Sequence, residues 1–554
     1  MVQSHLARSR LGSPTTLSPR ARWTALAALC FALLLVMVDN TIVNVALPTM
    51  ARDLNAGTSG LQWIVDAYTL VFAGLLLAGG YLGDRFGHRR ALLVGIGGFA
   101  AVSAAAGLSS TLGQLIVARA GLGLFAALVF PATLALVTTV FTDVRERAIA
   151  VGIWAATSGV SVAIGPVLGG WLLEHYSWAS VFWVNIPIAA VATVAIVALV
   201  PDARPHAVAR LDLIGVILSV AGLGLLTYSV IEGPHHGWGD VRTWGGLVIA
   251  GLILAAFVRR QLVVDAPILD VRLFANRHFA TAAGMISIAF FALFGFIFLI
   301  TQYFQVVKGY GPMEAGVRTL PFAIVMAVLS PVAMGLTARW GARPVATVGA
   351  LLMSAGFALV ELSSTASGYW SLIVWAMSLM AAGLAFISGP CTSLIMSALR
   401  PEQAGAGAAV NDTTREVGGT LGVAVLGSVL TSVYVAGVGD RLNALGIPRE
   451  VTEVAQQSVM AGAQVADNAP AAVADAVRGA VSEVFVTGLH HASWVAVAVT
   501  AAAAVIAAVT LRPNASGADN AGGVRAGGSQ VGGSHSVGPR VDSQIDGEIT
   551  SVAP

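Results

Sequence analysis

The chain has 554 residues, 56% of them hydrophobic and only 10% charged, with a mean hydropathy of +0.81. Soluble domains carry about 25% charged residues, so an ordinary soluble enzyme is excluded, and the near-zero net charge of +2 offers no basic surface for nucleic acid. Apolar residues run in long blocks along nearly the whole chain, as segments of about 20 residues must to cross a bilayer. The composition describes an all-α polytopic membrane protein. Its two cysteines, Cys30 and Cys391, fall inside apolar runs, which suits buried thiols rather than a disulfide framework.

In lipid a backbone must satisfy its own polar groups, so apolar runs of this length are helices. Hydropathy predicts fourteen, over 23–48, 61–82, 91–108, 112–138, 148–172, 181–200, 211–230, 243–258, 279–302, 317–336, 344–362, 370–397, 405–434 and 491–511. The first follows Arg8, Arg10, Arg20 and Arg22 as a signal peptide would, but it continues to Pro48 without a small-residue cleavage pattern and reads as a retained span. With the N-terminus inside, and with Arg415 and Arg318 assigned to the nearer side of their spans, 22 Lys and Arg residues fall on that side and 7 on the other, Arg119 lying deeper within a span. Both termini are therefore expected in the cytoplasm, and the protein in the cell membrane. Residues 436–490 are expected to form an extracellular loop, with short amphipathic helices over 451–460 and 471–486. Residues 512–554, rich in Gly and Ser, are expected to be a disordered cytoplasmic tail, as 1–22 form an N-terminal one.

Ionisable residues inside spans are costly and point to function. Asp39, Asp66 and Arg119 are such residues, as are Asp412, Arg415 and Glu416 near the inner half of the thirteenth span. At about 1.5 Å per residue, Asp39, Arg119 and Asp66 lie roughly 13, 10 and 7 Å from the outer helix ends. A carboxylate and a guanidinium at matching depth can be a fixed structural pair. Alternatively the carboxylate exchanges its arginine for a proton, which is what coupling to a gradient requires. Glu416, roughly 16 Å from the inner surface, is the mid-membrane carboxylate of the second half. The histidines fall in loops or at helix ends, and the adjacent pairs His235-His236 and His490-His491 do not aim at one ion, so no metal site is expected. Metalloprotease, serine-hydrolase and nucleotide-binding motifs are absent. Neither enzyme chemistry nor a cofactor is expected, and energy for any work must come from an ion gradient.

The run Gly80-Tyr81-Leu82-Gly83-Asp84-Arg85-Phe86-Gly87-His88-Arg89-Arg90 closely resembles the signature cytoplasmic loop of the major facilitator superfamily. Gly83 and Gly87 allow a tight turn, and Asp84 can face the positive N-terminus of a neighbouring helix, holding one conformation and releasing in the other. Val38 to Pro48 looks like the first-helix motif of the fourteen-span drug:proton antiporters of the EmrB/QacA type. Leu115 through Arg119 to Gly123 resembles their fourth-helix motif, whose arginine is linked to proton coupling. Gly152, Gly165, Pro166, Gly169 and Gly170 resemble the fifth-helix antiporter motif. Leu122 departs from a usual glutamine and Ser161 from a glycine. Gly335 to Arg343 echoes the 80–90 loop without its aspartate, consistent with an internal duplication.

The resemblance implies the major facilitator fold, with six-helix bundles over 23–200 and 279–511 flanking an inserted helix pair over 211–258. It implies export of hydrophobic, including cationic, drugs, antibiotics or dyes in exchange for protons. Asp39 would be the leading proton site and Arg119 its partner, with Glu416 and Asp66 behind them. Gly80, Asp84, Arg85, Gly87, Arg89 and Arg90 would gate the conformational change. Met285, Phe291, Phe294, Phe298 and Tyr303 are candidates for an adaptable apolar cavity. The partners would be the small hydrophobic substrate, protons and lipid, with the chain working as a monomer. An exporter dedicated to one metabolite or self-made antibiotic, a proton symporter, and a non-transporting receptor or scaffold built on the 436–490 loop remain open on the sequence.

Overall fold

Fourteen helices long and apolar enough to cross a membrane stand in the computed structural model, which describes residues 18–202, 211–399 and 404–511. The tail expected to be disordered and most of the N-terminal tail lie outside these residues. The first six helices are α1 (Pro19–Asp53), α2 (Thr58–Phe86), α3 (His88–Gly107), α4 (Leu112–Val140), α5 (Val144–His175) and α6 (Ser180–Leu199, interrupted at Val184). The inserted pair is α7 (Leu213–His236) and α8 (Val241–Val263). The last six are α9 (Arg277–Val307), α10 (Pro312–Trp340), α11 (Ala342–Val360), α12 (Tyr369–Ser397), α13 (Ala404–Ala444) and α14 (Ala471–Thr510). Below, the near face is the end where α1 begins and the far face is the opposite end.

Caps and turns set the ends locally. Ser18 accepts the Ala21 amide with Pro19 in the first helical position, and Asp143 accepts the amides of Arg145 and Glu146 to start α5. Gly87, at φ 98°, ends α2 and starts α3, and Gly341, at φ 84°, does the same between α10 and α11. A side chain is strained at such φ values, so the echo between the two loops is also one of backbone geometry.

Two helix ends differ from the hydropathy expectation by more than two turns. α13 continues to Ala444, and α14 begins at Ala471, so the 471–486 stretch is the first part of a long helix rather than part of a loop. Val477, Val481, Val484 and Leu489 continue the buried stripe of α14 outward, while Asp475, Arg478 and Glu483 on its other side lower the local hydropathy. Only 445–470 connect the two helices, folded as the short helices Arg449–Gln456 and Val459–Asn468.

Small residues bring backbones together within each bundle. Between α2 and α4, a Cβ on Gly79 would run into the Ala127 carbonyl, and one on Gly123 into that of Tyr68. Between α9 and α13, Gly418 and Gly422 lie on the backbone of Ser287 and Phe291. The inserted pair lies beside α2 and α13 together. Val220 sits on Gly74, Ser428 donates to the Val230 carbonyl at 2.8 Å, and Trp238 donates to Ser432 at 2.9 Å.

At the near end of the pair, Asp212 accepts Arg260 Nε at 2.7 Å, Gln261 Nε2 at 2.8 Å and the Gly215 amide at 3.0 Å. Burial pushes this carboxyl up, but the Gly215 amide, Arg260 and Gln261 together hold it below the usual carboxylate range. A lowered folded value means the stabilisation is present above the unfolded value of about 3.9 and is lost as pH falls through the folded one. Hydrogen exchange in α7 and α8 should therefore speed up selectively below about pH 4, and Asp212→Asn should remove that pH dependence.

The two bundles meet toward the far face. Gly170 of α5 lies on Pro312 and Met313, Gly316 of α10 on Pro166, and Gln305 donates to the Val45 carbonyl at 2.9 Å. Gln62 donates to the carbonyls of Val423 and Ala424, each at 3.0 Å, and Thr420 donates to Thr69 at 2.9 Å. Toward the near face α5 and α10 part. Gly152 and Gly159 have open space where a Cβ would sit, and Ile153, Val160, Ile324 and Val328 are exposed. Among the described residues the structure is closed at the far face and open at the near one.

The 445–470 connection joins this closure. Its Gln457 carbonyl accepts the Thr58 amide at 3.0 Å, while Tyr434 and Gln456 anchor it on its own bundle. Thr58 opens α2 after Gly57 at ψ 175°, a site where proline fits; it removes the amide proton and the hydroxyl that reaches the same Gln457 carbonyl at 3.5 Å. Thr58→Pro should thus weaken the far closure without disturbing α2. Labelling of a cysteine placed at the far ends of α1 and α5 should then become faster than in the parent.

Candidate functional site

Asp39 is 0% exposed where α1 meets α4 and α6, and its carboxylate has two partners. Oδ2 accepts Arg119 Nη1 at 2.7 Å, and Oδ1 accepts Asn185 Nδ2 at 2.7 Å. Arg119, also 0% exposed, donates Nε to the Ile64 carbonyl at 2.8 Å and lies 4.4 Å from the centre of the Tyr68 ring. Tyr68 in turn donates to the Val36 carbonyl at 3.3 Å. Two opposite charges thus share a fully buried site, held in place by a carbonyl and an aromatic face.

Asn185 is the member of this site that a search for ionisable residues passes over. It opens the second segment of α6 after the interruption at Val184, with Pro187 in the first turn, where a missing amide is tolerated. Its Nδ2 also donates to Ser103 at 2.9 Å, and Ser103 donates to the Phe182 carbonyl at 2.8 Å. The only signal in the sequence was an asparagine inside an apolar span.

Asp66 does not join Asp39 and Arg119, although the three share a depth range. It lies in the seam between α2 and α13, one turn from Gln62 and from Thr69, with both oxygens buried and no hydrogen-bond partner among the described residues. Glu416 belongs to the same region, because Thr420, which donates to Thr69, also donates to the Glu416 carbonyl at 3.0 Å. Its Oε2 is buried without a partner among the described residues, while Arg415 beside it lies 4.4 Å from the Phe290 ring centre and 3.7 Å from Asp412.

A cavity, partly open to its surroundings, lies between the bundles. Thr41, Asn44 and Val45 of α1 form one wall, and Val162 and Pro166 of α5 another. Phe296, Ile297, Ile300, Thr301 and Phe304 of α9, with Thr319 and Phe322 of α10 and Met377 of α12, complete it. Its lining has the mixed apolar and polar chemistry of a small-molecule pocket. None of the five side chains expected to line a cavity faces this one. The ring of Phe294 lies over Gly419, Phe298 reaches Gly427, and the Phe291 backbone meets Gly422, so the stripe is spent on contact with α13. Met285 is buried in the core, and Tyr303 donates to the Ser364 carbonyl on the other side of α9. The lining residues sit on the same helix, rotated by one or two positions, and hydropathy does not distinguish the two faces.

In the 80–90 loop, Asp84 pairs with His88 at 3.0 Å rather than with a neighbouring helix among the described residues. Arg85 donates to the Tyr81 hydroxyl, Arg89 donates to the Val197 carbonyl of α6 at 2.7 Å, Arg90 is exposed, and Gly80 approaches Pro131. In α5, Gly165 and Gly169 lie on Thr41 and Ile42 of α1, whereas nothing among the described residues lies where a Cβ on Gly152 would sit. Among the described residues, no cluster of His, Cys, Asp and Glu is close enough to hold a metal ion. His490 faces Ser363 and Glu361, and His491 bonds its own helix.

The model of the Major Facilitator Superfamily matches residues 29–423. The tetracenomycin C resistance and export protein of Streptomyces glaucescens is 34% identical over 498 residues, which cover 88% of this chain and 91% of that one. The multidrug efflux pump LfrA of Mycolicibacterium smegmatis is 34% identical over 503 residues, 90% of this chain and 99% of its own. The methyl viologen resistance protein SmvA of Salmonella typhimurium is 34% identical over 471 residues, 84% and 93% of the two chains. Among solved structures, a bacterial homologue of the human lysosomal transporter Spinster, inward-facing and unoccupied, superposes with a TM-score of 0.61 at 17% identity, covering 89% of this chain and 98% of that one. The xylose transporter XylE of E. coli, inward open, gives 0.54 at 12% identity, covering 89% and 97%. The fold, the helix number and these relatives agree: the chain belongs to the Major Facilitator Superfamily.

Proposed function

We propose that the protein exports hydrophobic small molecules, including drugs, antibiotics and dyes, across the cell membrane in exchange for protons. The observation that carries this reading is the double use of α1. Asp39 is held in a buried ion pair on one side of the helix, while Thr41, Asn44 and Val45, within two turns, form a wall of the cavity. A change in the protonation of Asp39 therefore acts on the helix that contacts substrate. The activities after which the relatives are named, resistance, efflux and export, point the same way.

In this reading the near face is cytoplasmic, as the distribution of arginines favours, and the structure is open to the cytoplasm. The chain works as a monomer of two bundles and an inserted pair. Asp66 and Glu416, in the seam that closes the far face, are secondary proton sites. Asp84, bonded to His88 while the near face is open, is free to engage a neighbouring helix when it closes.

The test is proton release from energised inside-out vesicles, followed with a pH dye, on addition of lipophilic cations, neutral dyes and antibiotics. Substrate-dependent release is expected, and silence across the panel would remove the antiport reading. Within the panel, Phe304→Ala and Thr319→Val should change the order of preferred substrates by about tenfold, the size of one lost contact of about 1–2 kcal/mol. Phe298→Ala should not reorder them, because that side chain faces α13.

A further inference from the structure

The deepest polar group beside the ion pair is an amide. Asn185 is 0% exposed, both hydrogens of its Nδ2 are used, on Asp39 Oδ1 and Ser103 Oγ, and its own Oδ1 is buried with no partner among the described residues. An unpaired buried acceptor is costly and calls for a reason. The titratable or charged groups facing Asp39 are Arg119 of α4 and the Tyr68 phenol of α2. α3 and α6 present only Ser103 and Asn185, and α5 meets α1 through Gly165 and the Ser161 carbonyl.

We propose that Asn185 is a positioning residue of the proton site, an amide that donates to Asp39 when it is ionised and turns over to accept from it when it is protonated. The inference rests on Asp39 being the proton site. With the carboxylate ionised, Arg119 Nη1 serves Oδ2 and Asn185 Nδ2 serves Oδ1, as in the structure. A proton arriving on Oδ1 makes that oxygen a donor facing another donor, which cannot stand.

The nitrogen and oxygen of an amide have nearly the same shape. A half-turn of the side chain therefore places Asn185 Oδ1 where Nδ2 was, within reach of the new Asp39 O–H and of the Ser103 hydroxyl. Ser103 then rotates its proton from the Phe182 carbonyl to Asn185, so the protonation state reaches the interruption in α6. The N–H pair moves to the side that now holds the unpaired oxygen, and the acid form is the less well bonded of the two. The amide thus favours the ionised carboxylate while the near face is open, the state in which a drug:proton antiporter gives up its proton to the cytoplasm.

The experiment is the pH dependence of substrate-driven proton release, with infrared pH-difference spectra of the purified full chain labelled with 15N-asparagine. Asn185→Leu removes a donor to a charged oxygen, a stronger bond than the neutral one of the acid form. The pH midpoint of release should move up by about one unit, and Ser103→Ala should move it the same way by less. In the wild type, an isotope-sensitive asparagine amide band should titrate together with the carboxyl band that Asp39→Asn removes. A lower rate at unchanged midpoint in Asn185→Leu would overturn the proposal, reducing Asn185 to packing. If that variant does not fold, an Asp39 band that titrates without any asparagine band overturns it equally. PH-dependent coupling that survives in Asp39→Asn is a different outcome. It removes the proton-site reading itself, and this inference with it.

Discussion

Asp39→Asn is expected to bring substrate-driven proton release down to the level of empty vesicles while leaving exchange of labelled for unlabelled substrate intact. The amide has the shape of the carboxylate, and its oxygen can still accept Arg119 Nη1, so α1 keeps its packing and the cavity wall at Thr41, Asn44 and Val45 stays where it is. It cannot bind and release a proton. One proton crossing with a potential of about 100 mV gains about 2.3 kcal/mol, and one pH unit adds about 1.4 kcal/mol. Together these sustain a substrate gradient of several hundredfold, and in the variant that gradient should collapse toward equality. Asp66→Asn and Glu416→Gln, run alongside, should reduce release only in part. Full loss in either of them, with Asp39→Asn coupled normally, would move the proton site to the α2–α13 seam.

The fold was legible in the sequence because lipid permits few solutions: every apolar run of sufficient length had to be a helix. The exceptions have local causes. The outer part of α14 carries Asp475, Arg478 and Glu483 on its exposed side, so an averaged hydropathy falls although the buried stripe through Val477, Val481 and Val484 is unbroken. The pairing of Asp39 with Arg119 followed from matching depth, since charges in a membrane must find each other. Depth alone misled for Asp66, which shares it but points from α2 toward α13. Rotation about a helix axis is what composition does not record. The same gap separates Phe298, packed on α13, from Phe296 and Phe304, which line the cavity. Asn185 was missed for another reason: a neutral amide has no cost in hydropathy large enough to stand out, although it completes the site.

Arg119→Leu should be the most destabilising substitution at the site, by about 3–5 kcal/mol, because it strands a buried carboxylate with Asn185 as its remaining partner. The guanidinium also gives up its bond to the Ile64 carbonyl and its place over Tyr68, but those partners stay satisfied within α2 and by Val36. The loss is therefore mainly that of charge balance. Adding Asp39→Asn to Arg119→Leu removes the stranded charge and should recover most of the stability. Cys391 is buried in α12, whereas Cys30, expected to be buried, is only partly so; in a Cys30→Ser background, the reaction of a thiol dye on heating reports unfolding. The apparent melting temperature should fall in the order wild type, double variant, Arg119→Leu. Wild-type melting in Arg119→Leu would mean that the pair contributes nothing to folding. The two properties then separate the roles of the pair. Stability follows the balance of charge and returns in the double variant, whereas coupling follows the titratable carboxylate and does not. A purely structural pair would lose only the first; a pair that exchanges its arginine for a proton must lose both, each in its own variant.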